Sequence, residues 1–194
     1  MSKELSEMTL EELWRLFPIQ LTEHNPSWEA SYQEMEDKLT ETLAGFSKAR
    51  ISHIGSTAVK GIWAKPIVDI LVELGPDEDM EQAVLAIEQS GFGCMNRKKN
   101  RISFNVGYTK EGFADKVYHL HLRRRGDNGE LYFRDYLNEF PEIAKEYERL
   151  KLELWRPYEF NRDGYTAAKG EFVARCTERA KERYGDRYKE GCVE

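Results

Sequence analysis

His53-Ile54-Gly55-Ser56-Thr57 and the run Lys65-Pro66-Ile67-Val68-Asp69-Ile70-Leu71-Val72-Glu73 hold the residues best suited to chemistry. Gly55 and Ser56 lack bulk, so their backbone N–H groups can come close to an anion. Asp69 interrupts an apolar run, with Ile67-Val68 before it and Ile70-Leu71-Val72 after. An acid in such a run is costly to bury unless it is paired or holds a metal. A phosphate cradle followed by a strand carboxylate is the minimum hardware for handling a nucleotide with Mg²⁺. The plainer assignment is that Ser56 caps a short helix and Asp69 pairs with Lys65 or an arginine.

A second group is His119-Leu120-His121. Alternation along a strand aims both imidazoles to one side. With His53 near the small-residue loop, three of the four histidines could converge around Asp69. Such a set could bind a transition metal, act as a general base, or contact phosphate as imidazolium. Its plainer counterpart is a pair of half-buried histidines bonded to backbone. His24, before Asn25-Pro26, reads as structural. The basic runs Arg97 to Arg101 and Arg123-Arg124-Arg125 read as a solvated turn and a strand end, with Arg101 the one member that could face the site.

The stretch HIGSTAVKGIWAKPIVDILVE resembles the core pattern of the GrpB family. That family is similar in turn to the polymerase-β-like nucleotidyltransferase superfamily, whose signature is a Gly-Ser or Gly-Gly pair, a short helix, then a strand with an acid, a hydrophobe and a second acid. The resemblance runs from about Leu21 to about Ala180 and includes the later blocks Phe133-Arg134-Asp135-Tyr136-Leu137, Lys151, Tyr165, Lys169 and Phe172. One position departs from the superfamily pattern: Leu71 stands where the second acid belongs, and the next acid on that face is Glu73.

The resemblance implies a single domain with a nucleotidyltransferase-like core. Gly55, Ser56 and Thr57 would bind phosphate. Asp69 would hold Mg²⁺ or Mn²⁺, with Glu73 or His121 completing the shell. Lys65, Arg134 and Lys169 would offset triphosphate charge. Asp69, His119 and His121 would be catalytic. The implied partners are a nucleoside triphosphate and an acceptor, a small molecule or a protein hydroxyl. Two other classes stay open. One is a catalytically silent binding or chaperone-like module, favoured by Leu71; a relative of this domain is also found fused to a coenzyme-A biosynthetic kinase, and a protein partner would be its ligand. The other is a metal-dependent hydrolase built on His53, His119, His121 and Asp69.

The elements that must position these groups can be read from periodicity. Thr9-Leu10-Glu11-Glu12 is a capping box opening a short helix that Pro18 ends. Ile19 to Leu21 reads as a short strand. Asn25-Pro26 opens a helix with Trp28, Tyr32, Met35, Leu39 and Leu43 on one face, a stripe that reads as core. Residues 49–54 and 66–74 read as the first two main strands, and Asp77 as the cap of a following helix. Residues 92–96 and 101–108 form a strand pair, 109–115 a polar loop, and 116–125 a third main strand with Val117, His119, His121 and Arg123 on one face. Helices over 131–140, 141–155 and 165–184 follow, with a break at 161–164 and a tail from Gly185. Strands in the middle and helices at both ends give an α+β fold with a mixed sheet.

Composition bounds the rest. A chain of 194 residues with 40% hydrophobic content suits one domain with a sizeable core. A net charge of −6 argues against a general nucleic-acid sleeve, though a local basic pocket needs no basic total. Cys94, Cys176 and Cys192 are odd in number, widely spaced and without a zinc pattern, as in a reduced, cytoplasmic protein. No signal peptide or long apolar span is visible, so neither secretion nor membrane insertion is expected.

Overall fold

The computed structural model describes residues 3–188. Its elements are α1 (Leu10–Leu16), α2 (Ser27–Thr42), β1 (Arg50–Ile54), β2 (Val68–Leu74), α3 (Met80–Gln89), β3 (Gly93–Lys98), β4 (Arg101–Thr109), β5 (Gly112–Arg124), α4 (Gly129–Glu139), α5 (Pro141–Trp155), α6 (Arg162–Ala168) and α7 (Gly170–Tyr184). The five strands form one mixed sheet in the order β1-β2-β5-β4-β3. Only β2 and β5 run parallel, and their register sets Asp69 beside His119 and Leu71 beside His121.

Alternation divides the sheet into two unlike faces. Val68, Ile70, Val72 and Leu74 of β2, Tyr118, Leu120 and Leu122 of β5, and Ile102 and Phe104 of β4 join one core with α2 and α3. The Trp28-Tyr32-Leu39-Leu43 stripe packs here, as expected, along with Met80, Ala83, Val84 and Ile87 of α3. Each fully buried aliphatic side chain in this layer contributes on the order of 1.5–3 kcal/mol. The opposite face carries Asp69, Leu71, Glu73, His119 and His121. Leu131 of α4 covers part of it through Ile54 and Leu71. A separate helical cluster joins Phe133, Leu137, Ala144, Tyr147 and Cys176 to Val59 and Ile62 of the loop before β2. The helical half therefore stands over the polar face of the sheet, where the side chains of His119, His121 and Asp69 keep 17%, 26% and 27% exposure.

Several boundaries differ from those read in the sequence. The capping box of Thr9 and Glu12 forms, with Glu12 N–H donating to Thr9 Oγ1 at 3.2 Å. Near Leu21 only an isolated bridge, Thr22 to Ala64, replaces the expected strand. The cap of α3 is Asp79, whose carboxylate accepts from Glu81 and Gln82 N–H, because Asp77 instead meets Lys48 at 3.3 Å. The expected polar loop at 109–115 is a tight hairpin: Thr109 pairs with Gly112, and β5 starts there. The last helix is two. Asn161 caps α6, accepting from Gly164 N–H at 2.8 Å, and the chain breaks at Lys169 instead of at 161–164.

Residues 185–188, expected as tail, are docked: Tyr132 Oη donates to the Gly185 carbonyl at 2.9 Å, and the Tyr188 ring lies 5.1 Å from that of Tyr132. Residues 189–194, with Cys192, lie outside the described residues. Among the described residues no helix is long and apolar enough to cross a membrane.

Candidate functional site

The site is built on Asp69. Gly55 ends β1 with φ +73° and ψ −170°, a backbone region that side chains exclude. A Cβ at Gly55 would lie 2.4 Å from Asp69 Oδ2, so the glycine lets the turn close on the carboxylate. Asp69 Oδ1 faces both strand histidines, with His119 Nδ1 at 3.3 Å and His121 Nε2 at 3.6 Å. Burial alone would raise the Asp69 carboxyl, but His119 and His121 outweigh it and hold the group well below the usual carboxylate range. Burial dominates at His119 and pushes its imidazole down, so it is neutral at pH 7.

The ring partners fix which nitrogens carry protons. Arg123 Nη2, always a donor, lies 3.3 Å from His121 Nδ1. The His121 proton therefore sits on Nε2, toward Asp69. His119 turns Nδ1 to Asp69 and receives the Tyr108 hydroxyl on Nε2 at 2.7 Å. Tyr108 reaches that position through a β-bulge. Asn105 pairs with His119 and Val106 with Tyr118, but Tyr108 pairs with Phe113, an odd shift in register. Without the bulge Tyr108 would share the core face of Phe104 and Val106. Gly107, at φ +92° with the Lys116 carbonyl 2.4 Å from where its Cβ would stand, makes the bulge possible.

Across from Asp69 stand cations. The Nζ atoms of Lys169 and Lys65 lie 4.3 and 5.9 Å from the centre of the Tyr165 ring. Burial and the charge of Lys65 push the Lys169 amine down to about 7. Burial likewise lowers Lys65, with Arg162 adding to the effect and Asp69 opposing it. Among the described residues neither lysine has a carboxylate within ion-pair distance. Arg162, at the start of α6, lies over the rings of Tyr108 and Phe113 at 5.3 and 5.7 Å. Its Nε and one Nη, and the Tyr165 hydroxyl, are buried without a hydrogen-bond partner. Ser56 faces the hydroxyl of buried Tyr147. Such a group of desolvated cations and unpartnered donors is suited to an anion.

The structure thus gathers Gly55, Ser56, Lys65, Asp69, His119, His121 and Lys169. Other expected members are engaged elsewhere. Thr57 turns inward and meets His53 Nε2 at 3.0 Å. His53 stacks on Tyr32 at 4.6 Å, on the α2 side of the sheet, so it does not join the other two histidines. Glu73, fully buried, accepts from Arg50 Nε at 2.7 Å, Asn128 at 2.9 Å and Gly126 N–H at 3.2 Å. It lies four residues along β2 from Asp69, about 13 Å away. Arg134 donates to the His53 carbonyl at 2.9 Å and pairs with Asp135. Arg101 pairs with Asp127 instead of facing the site. Lys151 is buried under the helices, donating to the Trp63 carbonyl.

Tyr108, Arg162 and Tyr165 complete the site, and only Tyr165 was visible in the sequence, through its block. Nothing local marks Arg162, whereas Gly107 in a strand is a recognisable bulge signal.

The carboxylates bear on which metal the site can hold. Leu71, fully buried against Ile54 and Leu131, removes the second strand acid, and Glu73 is committed to Arg50. Among the described residues no group of three or more His, Cys, Asp or Glu side chains is placed to hold a metal ion. A two-metal carboxylate centre is therefore not built by these residues, nor is the His53-containing hydrolase centre. Asp69 alone fits a Mg²⁺ that shares its shell with ligand phosphates and water.

Comparison with known proteins agrees with this architecture. A solved GrpB structure from Enterococcus faecalis superposes with a TM-score of 0.72 at 28% identity, covering 85% of this chain and 99% of that one. A chain of the GLD-2/RNP-8 complex superposes with a TM-score of 0.52 at 10% identity, covering 95% of this chain and 74% of that one, a likeness of fold alone. The glutamate-rich protein GrpB of Alkalihalophilus pseudofirmus is 35% identical over 158 residues, 79% of this chain and 90% of the relative. The GrpB protein family model matches residues 18–179, and the chain belongs to the GrpB family.

Proposed function

We propose that the cleft between the polar sheet face and the helices binds a nucleoside triphosphate. The observation that carries this reading is the pair Lys65 and Lys169, held against Tyr165 and, among the described residues, without a carboxylate in ion-pair contact, Asp69 acting on them only at longer range. Two lysines and the unpartnered nitrogens of Arg162 suit a polyphosphate better than a single anion. The small Gly55-Ser56 turn lets phosphate oxygens approach. The likeness to nucleotidyltransferases adds weight by analogy of fold. Asp69 is the residue that would hold Mg²⁺ or Mn²⁺ carried in by the nucleotide, and the ion would neutralise phosphate charge there.

The finer reading is nucleotidyl transfer to a hydroxyl of a small molecule or a protein. His119, neutral and with Nε2 as acceptor, is the group suited to take the hydroxyl proton, and Asp69 orients it. A second reading, a nucleotide-binding module without turnover that serves a protein partner, is favoured by Leu71, since bridging carboxylates normally hold the two metals of such chemistry.

The test is thermal stability against a panel of nucleoside triphosphates, with and without Mg²⁺. A ligand at a hundred times its Kd stabilises by about 2.7 kcal/mol, which for a chain of this size raises Tm by roughly 5–10 °C. Lys169→Met should weaken binding by about 10–100-fold. No shift with any nucleotide, in a protein that melts cooperatively, would overturn the reading.

A further inference from the structure

We propose that Tyr108 is a nucleophile that becomes covalently nucleotidylated from the bound nucleoside triphosphate. The inference rests on the nucleotide-binding reading above and adds the atom that receives the group.

The argument begins with the backbone. The register shift at Gly107 takes Tyr108 off the core face and sets its hydroxyl 2.7 Å from His119 Nε2. His119 in turn presents Nδ1 to Asp69 Oδ1 at 3.3 Å. A hydroxyl on an imidazole nitrogen, with the ring oriented by a carboxylate, is the arrangement that activates a nucleophile. The tautomer is the required one, with Nε2 free to accept the phenolic proton. Burial raises the Tyr108 phenol, and Arg162, lying over its ring, reduces that rise without cancelling it. Two nitrogens of that same guanidinium are buried without a hydrogen-bond partner. The nucleophile, its base and the anion-binding cations therefore share one cleft.

In the step itself, Tyr108 Oη attacks the α-phosphorus and forms a P–O bond. The bond from that phosphorus to the bridging oxygen of the β-phosphate breaks. The phenolic proton passes to His119 Nε2, and pyrophosphate leaves. Lys65, Lys169 and Arg162 face the departing charge. No oxidant or further reactant is needed.

The experiment incubates the full chain with ATP, GTP, CTP or UTP and MgCl₂. Each sample is divided between a melting curve and acid-quenched intact-mass and peptide mapping. The expected result is a mass gain of one nucleoside monophosphate on Tyr108, with the same nucleotide that raises Tm. Tyr108→Phe should show no gain. His119→Asn, which keeps the tyrosine, should slow adduct formation by about a hundredfold or more; it carries the test if the phenylalanine variant does not fold. A nucleotide that raises Tm without any mass gain overturns the proposal and leaves the binding reading standing, as does an adduct that persists in Tyr108→Phe. Absence of any Tm shift overturns both.

Discussion

Gly55 and Asp69 are in such close contact that a methyl group on the glycine would stand 2.4 Å from the carboxylate oxygen Oδ2. The turn and the acid are therefore one unit. Gly55→Ala should cost about 1–3 kcal/mol from backbone strain and should also displace Asp69, abolishing the nucleotide-dependent Tm shift. Gly61→Ala is the matched control: its φ of +72° is similar, but no atom lies within 4 Å of the added Cβ. Urea unfolding of both variants measures the difference. Equal destabilisation, with ligand response intact in both, would show that the contact does not hold the site.

Glu73 illustrates a different use of a buried acid. Its oxygens are taken by Arg50, Asn128 and the Gly126 N–H, and its side chain is fully buried while that of Arg50 is 27% exposed. Removing the cation leaves a desolvated charge, so Arg50→Met should cost about 3–5 kcal/mol. Asp69→Asn, by contrast, should leave stability at pH 7 changed by much less, because the Asp69 side chain is 27% exposed whereas that of Glu73 is fully buried. Denaturant midpoints for the two variants decide the order. A smaller loss for Arg50→Met would reopen Glu73 as a site residue.

Acid should destabilise the fold well before ordinary carboxylates titrate. Burial lowers the imidazoles of both His53 and His119, so the unfolded chain takes up their protons first. Stability therefore falls as pH drops below about 6.5, by on the order of 1.4 kcal/mol per pH unit for each group until its folded value is reached. Asp69, depressed in the folded state, adds stability above its unfolded value of 3.8 that is lost only at still lower pH. Both effects have the same sign. Melting curves from pH 7.5 to 5 should show a steady decline, made shallower by His119→Asn. A flat profile over that range would contradict the assigned burial.

How much of this was legible in the sequence depends on whether the signal was local. The alternation of His119 and His121 and the solitary acid at Asp69 follow from period two, and the apolar runs located β2 and β5. Their parallel register, which sets Asp69 beside His119, comes from tertiary packing and has no local mark. The face of His53 was not legible: alternation sets it opposite Ile54, but only the β1–β2 register, which pairs Ile54 with Asp69 and His53 with Ile70, takes it off the Asp69 side. Glu73 read as a ligand because its partners, Arg50, Gly126 and Asn128, arrive from two other segments. Arg134 and Arg101 were drawn off by Asp135 and Asp127 for the same reason. The helix read as continuous over 165–184 is two, parted at Lys169, and the first starts earlier, since Asn161 caps a helix that already includes Gly164. Tyr108 was missed because counting by twos along a strand fails at a bulge.

Nucleotide affinity should fall as pH rises through neutrality, opposite to the trend in stability. Lys169 is held at about 7 by burial and by Lys65, so in the free protein much of its charge is gone above that value. A bound triphosphate restores the charge by attraction, and binding must then draw a proton from solution. The linkage predicts affinity losses approaching tenfold per pH unit between about 7.5 and 9. It also predicts proton uptake approaching one per site at pH 8, read by titration calorimetry in two buffers of different ionisation enthalpy. Lys151 is also held at about 7, but it donates to the Trp63 carbonyl beneath the helices and should not contribute. Lys169→Met should therefore bind more weakly at pH 7 yet show a flatter pH profile and less uptake. If the wild type took up no proton at pH 8 while still binding, the phosphates would have to rest on groups other than Lys169.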